Sequence, residues 1–163
     1  LAPNALAVLS IGSCASFGGI PKGNPNPTGI MSVEDFTGLP VINIPGCPTH
    51  PDWIVGTVAK FLAGENIELD DQRRPRQFFS RQIHENCPYK ERQEAHSFGV
   101  HNTCLQELGC KGERTKSDCY QRKWNGGTSW CMEAGSICIG CTEDRFPDGF
   151  SPFYKEGEEE DDD

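Results

Sequence analysis

The chain has 163 residues, with 15 basic against 24 acidic side chains and a formal charge of −9. That balance argues against nucleic-acid binding, which needs a basic surface to neutralise phosphates. Only 36% of residues are hydrophobic, while 18 glycines and 12 prolines interrupt the backbone, so the apolar core is modest and something besides apolar burial holds part of the fold.

In chain order, residues 5–11 (ALAVLSI) read as a short buried strand, followed at once by Gly12-Ser13-Cys14. A loop rich in Pro, Asn and Gly runs from Pro21 to Gly29, and Ser32 caps a short helix reaching Phe36. Residues 41–44 (VINI) read as a second strand, followed by Pro45-Gly46-Cys47-Pro48. Two strand-then-cysteine units joined by a crossover indicate an α/β parallel sheet, whose ligands collect beyond the carboxyl ends of the strands. Cys14 and Cys47 both fall on that edge.

Pro51 opens a helix and Gly64 ends it. Ile54, Val55, Val58, Phe61 and Leu62 form an apolar stripe, expected to pack on the sheet. The polar run Asp70 to Pro75 reads as a hinge, which sets domain limits of 1–70 and 71–155. Beyond it periodicity is weak, so the second part is expected to be irregular. From Glu156 to Asp163 seven of eight residues are acidic, the composition of a disordered tail. No run of about 18 apolar residues is present, so no transmembrane helix, and no direct membrane insertion from the acidic end, is expected. No secretory leader is visible at the start.

Cysteine dominates the second part. Nine cysteines cannot all pair internally, and seven of them crowd between Cys87 and Cys141. His84-x-x-Cys87 and Cys138-x-x-Cys141 each let two side chains turn onto one metal centre. Zinc sites combine two such short motifs, whereas intervals of 17, 6, 9, 12, 7 and 3 after Cys87 suit iron–sulfur ligation better. Zinc and disulfides stay open as alternatives. His50, His96 and His101 lack a partner at ligand spacing and read as structural or exposed, and Lys111 as a solvated or docking lysine.

Several motifs in order resemble one family. GSCASFGG at 12–19, PNPTG at 25–29, IPGCPTHP at 44–51, HENCPY at 84–89, ELGCKG at 107–112, CIGCTE at 138–143 and SPFY at 151–154 resemble the small subunit of NiFe hydrogenases. The resemblance implies a partial flavodoxin-like parallel sheet followed by an irregular domain stabilised by iron–sulfur clusters. It implies three clusters in a row, conducting electrons between a large subunit's nickel–iron site and an outside carrier. It assigns Cys14 and Cys47 to a proximal cluster, and His84, Cys87, Cys104 and Cys110 to a distal 4Fe-4S cluster. Cys119, Cys138 and Cys141 fall to a medial cluster.

Two departures matter. Many relatives have proline after the tryptophan at 130, but here Cys131 follows, as in the nickel–iron–selenium type, which makes a medial 4Fe-4S cluster and uses all nine thiols. The family's opening C-x-x-C is absent, so the proximal cluster is expected to take its other ligands from a preceding small-subunit segment or another chain. The resemblance implies a periplasmic enzyme, soluble or peripherally held at a membrane, with a cytoplasmic location as the alternative. A basic multihaem cytochrome is the kind of carrier that would suit the acidic tail. The competing classes are a free-standing ferredoxin-like carrier and a zinc-stabilised interaction module. No nucleophile–base pair and no phosphate loop stands out, so no residue of this chain is assigned a catalytic role.

Overall fold

The computed structural model describes residues 4–154, and the acidic stretch 156–163 lies outside them. The described residues form two units: one holds those up to Ser80 together with Cys141–Gly149, and the other holds Arg81–Gly140 and the residues from Phe150 on.

The first unit is α/β. Strand β1 (Leu9–Ile11) and strand β2 (Ile42–Ile44) pair in parallel, Leu9 opposite Ile42, Ser10 opposite Asn43 and Ile11 opposite Ile44. Both strands are shorter than the apolar runs that contain them. Two short helices, α1 (Ser13–Phe17) and α2 (Gly19–Lys22), follow β1 directly. Helix α3 (Val33–Thr37) starts where expected, because the Ser32 hydroxyl oxygen accepts the Asp35 N–H at 3.0 Å and satisfies one orphan donor of the first turn.

Helix α4 (Pro51–Leu62) begins with proline at its first position, and the His50 ring nitrogen Nδ1 accepts the Asp52 N–H at 3.0 Å. Its buried face differs from the expected one. Trp53 is fully buried and meets the Phe79 ring edge-on at 4.9 Å, and Thr57 is buried beside it. Gly56 lies against Phe78, where a methyl group would sit 2.8 Å from the ring. Val55 is 66% exposed and Leu62 is 78% exposed, with Val58 and Phe61 also exposed. The indole fills more space than any residue of the aliphatic stripe, and glycine at 56 lets a phenylalanine approach. The helix therefore turns its 53/56/57 face inward.

Residues 70–74 form a locked turn rather than a loose hinge. Asp70 Oδ1 accepts the Gln72 and Arg74 N–H groups at 3.0 and 2.9 Å, and the Asn43 N–H donates to the Arg73 carbonyl at 2.9 Å. Helix α5 (Arg76–Phe79) then delivers Phe78 and Phe79 to the core, where Phe79 meets Trp53.

The second unit has little regular structure. It contains single helical turns at His84–Asn86 and Gly112–Arg114 and one short helix, α6 (Cys119–Arg122). Isolated bridges join Gln82 to Lys116 and Glu94 to Cys104. Its interior mixes Ile83, Leu105, Leu108, Trp130 and Ile137 with the thiols of Cys104, Cys119 and Cys138. Among the described residues no helix is long and apolar enough to cross a membrane.

Candidate metal centres

The cysteines of the first unit sit on paired turns. Because β1 and β2 run in parallel, Gly12-Ser13-Cys14 and Gly46-Cys47 leave the sheet at the same edge. Gly12 N–H donates to the Ile44 carbonyl at 3.0 Å and Ser13 N–H to the Gly46 carbonyl at 3.0 Å. The buried Ser13 hydroxyl accepts the Gly46 N–H at 2.9 Å and donates to the carbonyl of Cys141. One serine thus ties together the backbones that carry Cys14, Cys47 and Cys141.

Glycine is required at two places there. Gly46 has φ +144°, and a side chain on it would meet the Pro48 carbonyl at 2.7 Å. A Cβ on Gly19 would lie 2.9 Å from the Cys14 nitrogen and 3.1 Å from its sulfur, so the bare backbone cradles that thiol. Cys14 and Cys47 are exposed, and no disulfide is present among the described residues. Partial burial pushes the Cys47 thiol up, and charge on Cys14 adds to the effect.

The second unit gathers its thiols in two neighbouring sets. Burial raises the Cys87 thiol, the Tyr89 and Lys90 N–H groups pull it back, and Cys110 and Cys104 push it further up. Cys104 is raised by burial, then by Glu94, Cys110 and Glu113, against an opposing bond from the Gln106 N–H. Cys87, Cys104 and Cys110 therefore share one electrostatic neighbourhood. The single helical turn that holds His84 ends at Cys87, and a Cβ on Gly112 would lie 3.5 Å from the His84 backbone nitrogen and 3.6 Å from the Cys110 sulfur. His84 Nε2 is 3.9 Å from Glu113 Oε1.

Cys119 anchors the other set at the start of α6. Burial pushes its thiol up to about 12; the Ser117 hydroxyl opposes that shift, while Cys138, Cys131 and Asp118 reinforce it. Cys131 is likewise raised by burial, with Cys110 adding to it, so the two sets adjoin. Each of these thiols would have to ionise to bind metal, and in each case a metal cation reverses the cost of burying the charge.

The residues fit metal–sulfur centres on two further observations. The indole N–H of Trp130 is buried and has no hydrogen-bond partner, a donor beside Cys131 with no acceptor of its own. Backbone or hydroxyl donors already face thiols: the Tyr89 N–H reaches Cys87 Sγ at 3.4 Å, and the Ser117 hydroxyl reaches Cys119 Sγ at 2.9 Å. Among the described residues no group of three or more His, Cys, Asp or Glu is placed to hold a metal ion.

Other expectations changed. Lys111 is not a solvated lysine: it is buried, and its ammonium donates to the Pro152 carbonyl at 3.0 Å while its N–H donates to the Cys138 carbonyl at 2.7 Å. His50 and His96 are structural and exposed respectively, as expected: His50 is a buried helix cap, and His96 pairs with Glu107 at 2.8 Å near the surface. Sequence reasoning missed Ser13 and Ser117. Each stands within two residues of a cysteine, the one signal that could have found them.

A parallel-sheet edge carrying two thiols is followed by an irregular unit with thiols in its core. Residues 79–154 match the C-terminal family of the NiFe/NiFeSe hydrogenase small subunit, and residues 1–61 match the NADH ubiquinone oxidoreductase 20 kDa subunit family. The chain is 46% identical to the periplasmic NiFeSe hydrogenase small subunit of Desulfomicrobium baculatum, over 94% of this chain and 53% of that protein. It is 40% identical to periplasmic NiFe hydrogenase small subunit 1 of Nitratidesulfovibrio vulgaris, over 95% of this chain and 52% of that protein. The solved NiFeSe hydrogenase of D. baculatum superposes with a TM-score of 0.90 at 45% identity, over 96% of this chain and 61% of the solved one. The chain belongs to the small-subunit family of NiFe and NiFeSe hydrogenases. It spans about half the length of the curated relatives it matches.

Proposed function

We propose that this chain is the electron-conducting part of a hydrogenase small subunit, acting in H2 ⇌ 2H⁺ + 2e⁻ with the hydrogen chemistry on a nickel–iron large subunit. The observation that carries the reading is the placement of thiols on turns that Ser13 ties together at the sheet edge, and of further thiols in the core of the second unit, in a chain of this family. Iron–sulfur clusters, when bound, supply one-electron acceptors of tunable potential.

In this reading there are three clusters, all 4Fe-4S. Cys14 and Cys47 hold half of a proximal cluster; its other ligands come from a preceding small-subunit segment or a separate chain. His84, Cys87, Cys104 and Cys110 hold the distal cluster. Cys119, Cys131, Cys138 and, by the C-x-x-C spacing, Cys141 hold the medial one. The first part of the chain is then the C-terminal part of a flavodoxin-like domain, and the clusters stabilise the irregular second part.

The chain's own residues set how charge is borne. Buried thiolates and N–H or O–H donors fix the cost of each added electron. His84 contributes a neutral ligand in place of a thiolate, which favours the reduced state. Its partly exposed position supports electron exit there, toward an external carrier such as a multihaem cytochrome. The names of the relatives support a periplasmic location.

The test is hydrogen-dependent viologen reduction by the anaerobically purified complex containing this chain, with iron, nickel, zinc and sulfide measured on the same sample. Activity with iron, sulfide and nickel upholds the reading. Intact clusters without hydrogen-dependent reduction would make the chain a ferredoxin-like carrier, and zinc without sulfide would make it an interaction module.

A further inference from the structure

Ser117 is fully buried, and its hydroxyl lies 2.9 Å from the sulfur of Cys119. The same oxygen accepts the Cys119 N–H at 3.3 Å, so its acceptor side faces the backbone and its O–H is left to donate to sulfur. The residue has little freedom to do otherwise. Its N–H donates to the Arg81 carbonyl at 3.1 Å, and the Ile83 N–H donates to the Thr115 carbonyl at 2.9 Å. Gln82 and Lys116 complete an antiparallel bridge between these segments. Thr115, also buried, is anchored by its own hydroxyl to the Lys111 carbonyl at 2.6 Å. The hydroxyl is therefore delivered to the sulfur by a backbone pairing that does not depend on α6.

From this geometry we propose that Ser117 is a positioning residue for electron transfer: its O–H bond to Cys119 Sγ raises the reduction potential of the cluster that Cys119 ligates. This rests on the reading of Cys119 as a cluster ligand.

The sign follows from charge. Reduction by one electron from a mediator places additional negative charge on the cluster and its sulfurs. A hydroxyl dipole aimed at one of them stabilises the reduced form more than the oxidised form. Because Ser117 is shielded from water, no solvent molecule replaces the donor when it is removed. A hydroxyl serving only to cap the first turn of α6 would affect stability and leave the potential alone.

The experiment is a redox titration of the anaerobic complex, followed by EPR, for wild type, Ser117→Ala and Ser117→Thr. In the alanine variant the equilibrium constant for reduction of this cluster falls about tenfold, a downward shift of about 59 mV for a one-electron couple. Threonine keeps the wild-type potential. Resonance Raman of the wild type supplies a second readout: an iron–thiolate band shifts on transfer to D2O, and the shift shrinks in the alanine variant. An alanine variant with a lower melting temperature and an unchanged potential overturns the inference. If neither variant retains its cluster, a wild-type band indifferent to D2O overturns it and a shifting band upholds it. Wild-type protein without a cluster on the Cys119 set would instead sink the ligand assignment, so the two failures are distinct.

Discussion

Arg74 and Glu143 meet inside the first unit, Nη1 to Oε1 at 2.9 Å, although 69 positions separate them in the chain. The arginine is almost wholly buried; it also donates to the Thr142 carbonyl at 2.9 Å and to Asp70 Oδ2 at 2.8 Å. Its donors thus tie the 70–74 turn to the segment that begins with Cys141. Removing Glu143 leaves Arg74 paired with Asp70 alone, so what is lost is one buried, charge-assisted hydrogen bond, about 1.5 to 3 kcal/mol. Glu143→Ala should lower stability by that amount in urea unfolding of the purified protein. Glu133→Ala, which removes a more exposed partner of Lys123, should cost less than about 1 kcal/mol. Equal effects would show that the Arg74 network contributes nothing special.

A second prediction concerns which face of α4 is core. Trp53→Ala removes a fully buried indole from its contact with Phe79 and should cost about 3 to 5 kcal/mol. Leu62→Asp, on the exposed stripe, should change the stability of this chain by less than about 0.5 kcal/mol. Denaturant midpoints of the two variants decide the matter; a larger loss at Leu62 would restore the aliphatic stripe as the inward face.

These two sites also mark the limits of what the sequence makes legible. The strands and the turns after them can be read because an apolar run ending in Gly and Cys is a strong local pattern. Helix α4 has its ends near their expected places, since Pro51 and Gly64 are strong local signals. Its face differs from the expected one because 54/55/58 and 53/56/57 differ by one position, about 100° of rotation, and the true face includes Gly56 and Thr57. Apolarity alone cannot choose the face that a tryptophan occupies. The segment 70–75 reads as a polar hinge because its charges are adjacent in sequence, while Glu143, one of the carboxylates that pair with Arg74, is remote. Cysteines are rare enough to be conspicuous; the serines that orient Cys47 and Cys119 are common and carry no mark of their role.

His84 gives a third prediction. If His84 ligates a distal cluster as proposed, a neutral imidazole in place of a thiolate leaves that cluster one negative charge less. His84→Cys should therefore lower that cluster's potential, by on the order of 100 mV for a unit charge at ligand distance in a partly screened site. Redox titration followed by EPR would measure it, with the other potentials nearly unchanged. Reduction of an external dye by hydrogen should slow, because the last step becomes a poorer electron sink. A potential that does not move would show that His84 is not a ligand and serves only as the partner of Glu113.

The last prediction turns on Cys131. Its thiol is raised by burial and by charge on Cys110, and it is one of the charges that raise Cys119. It follows Trp130, whose buried indole N–H lacks an acceptor. On the proposed ligand set a thiolate on iron at this position completes four cysteines, so the anaerobic protein should show no stoichiometric, reversible 3Fe-4S resonance. Cys131→Ala removes the fourth thiol and should convert the medial centre to a 3Fe-4S cluster with an EPR signal in the oxidised state. Its potential should rise, since a cluster with three thiolates carries less negative charge to oppose reduction. Iron content should fall by about one atom per protein, the difference between four and three irons in a cluster. A wild-type protein that already gives the full 3Fe-4S signal would leave Cys131 a structural thiol, and the alanine variant would then change neither spectrum nor iron content.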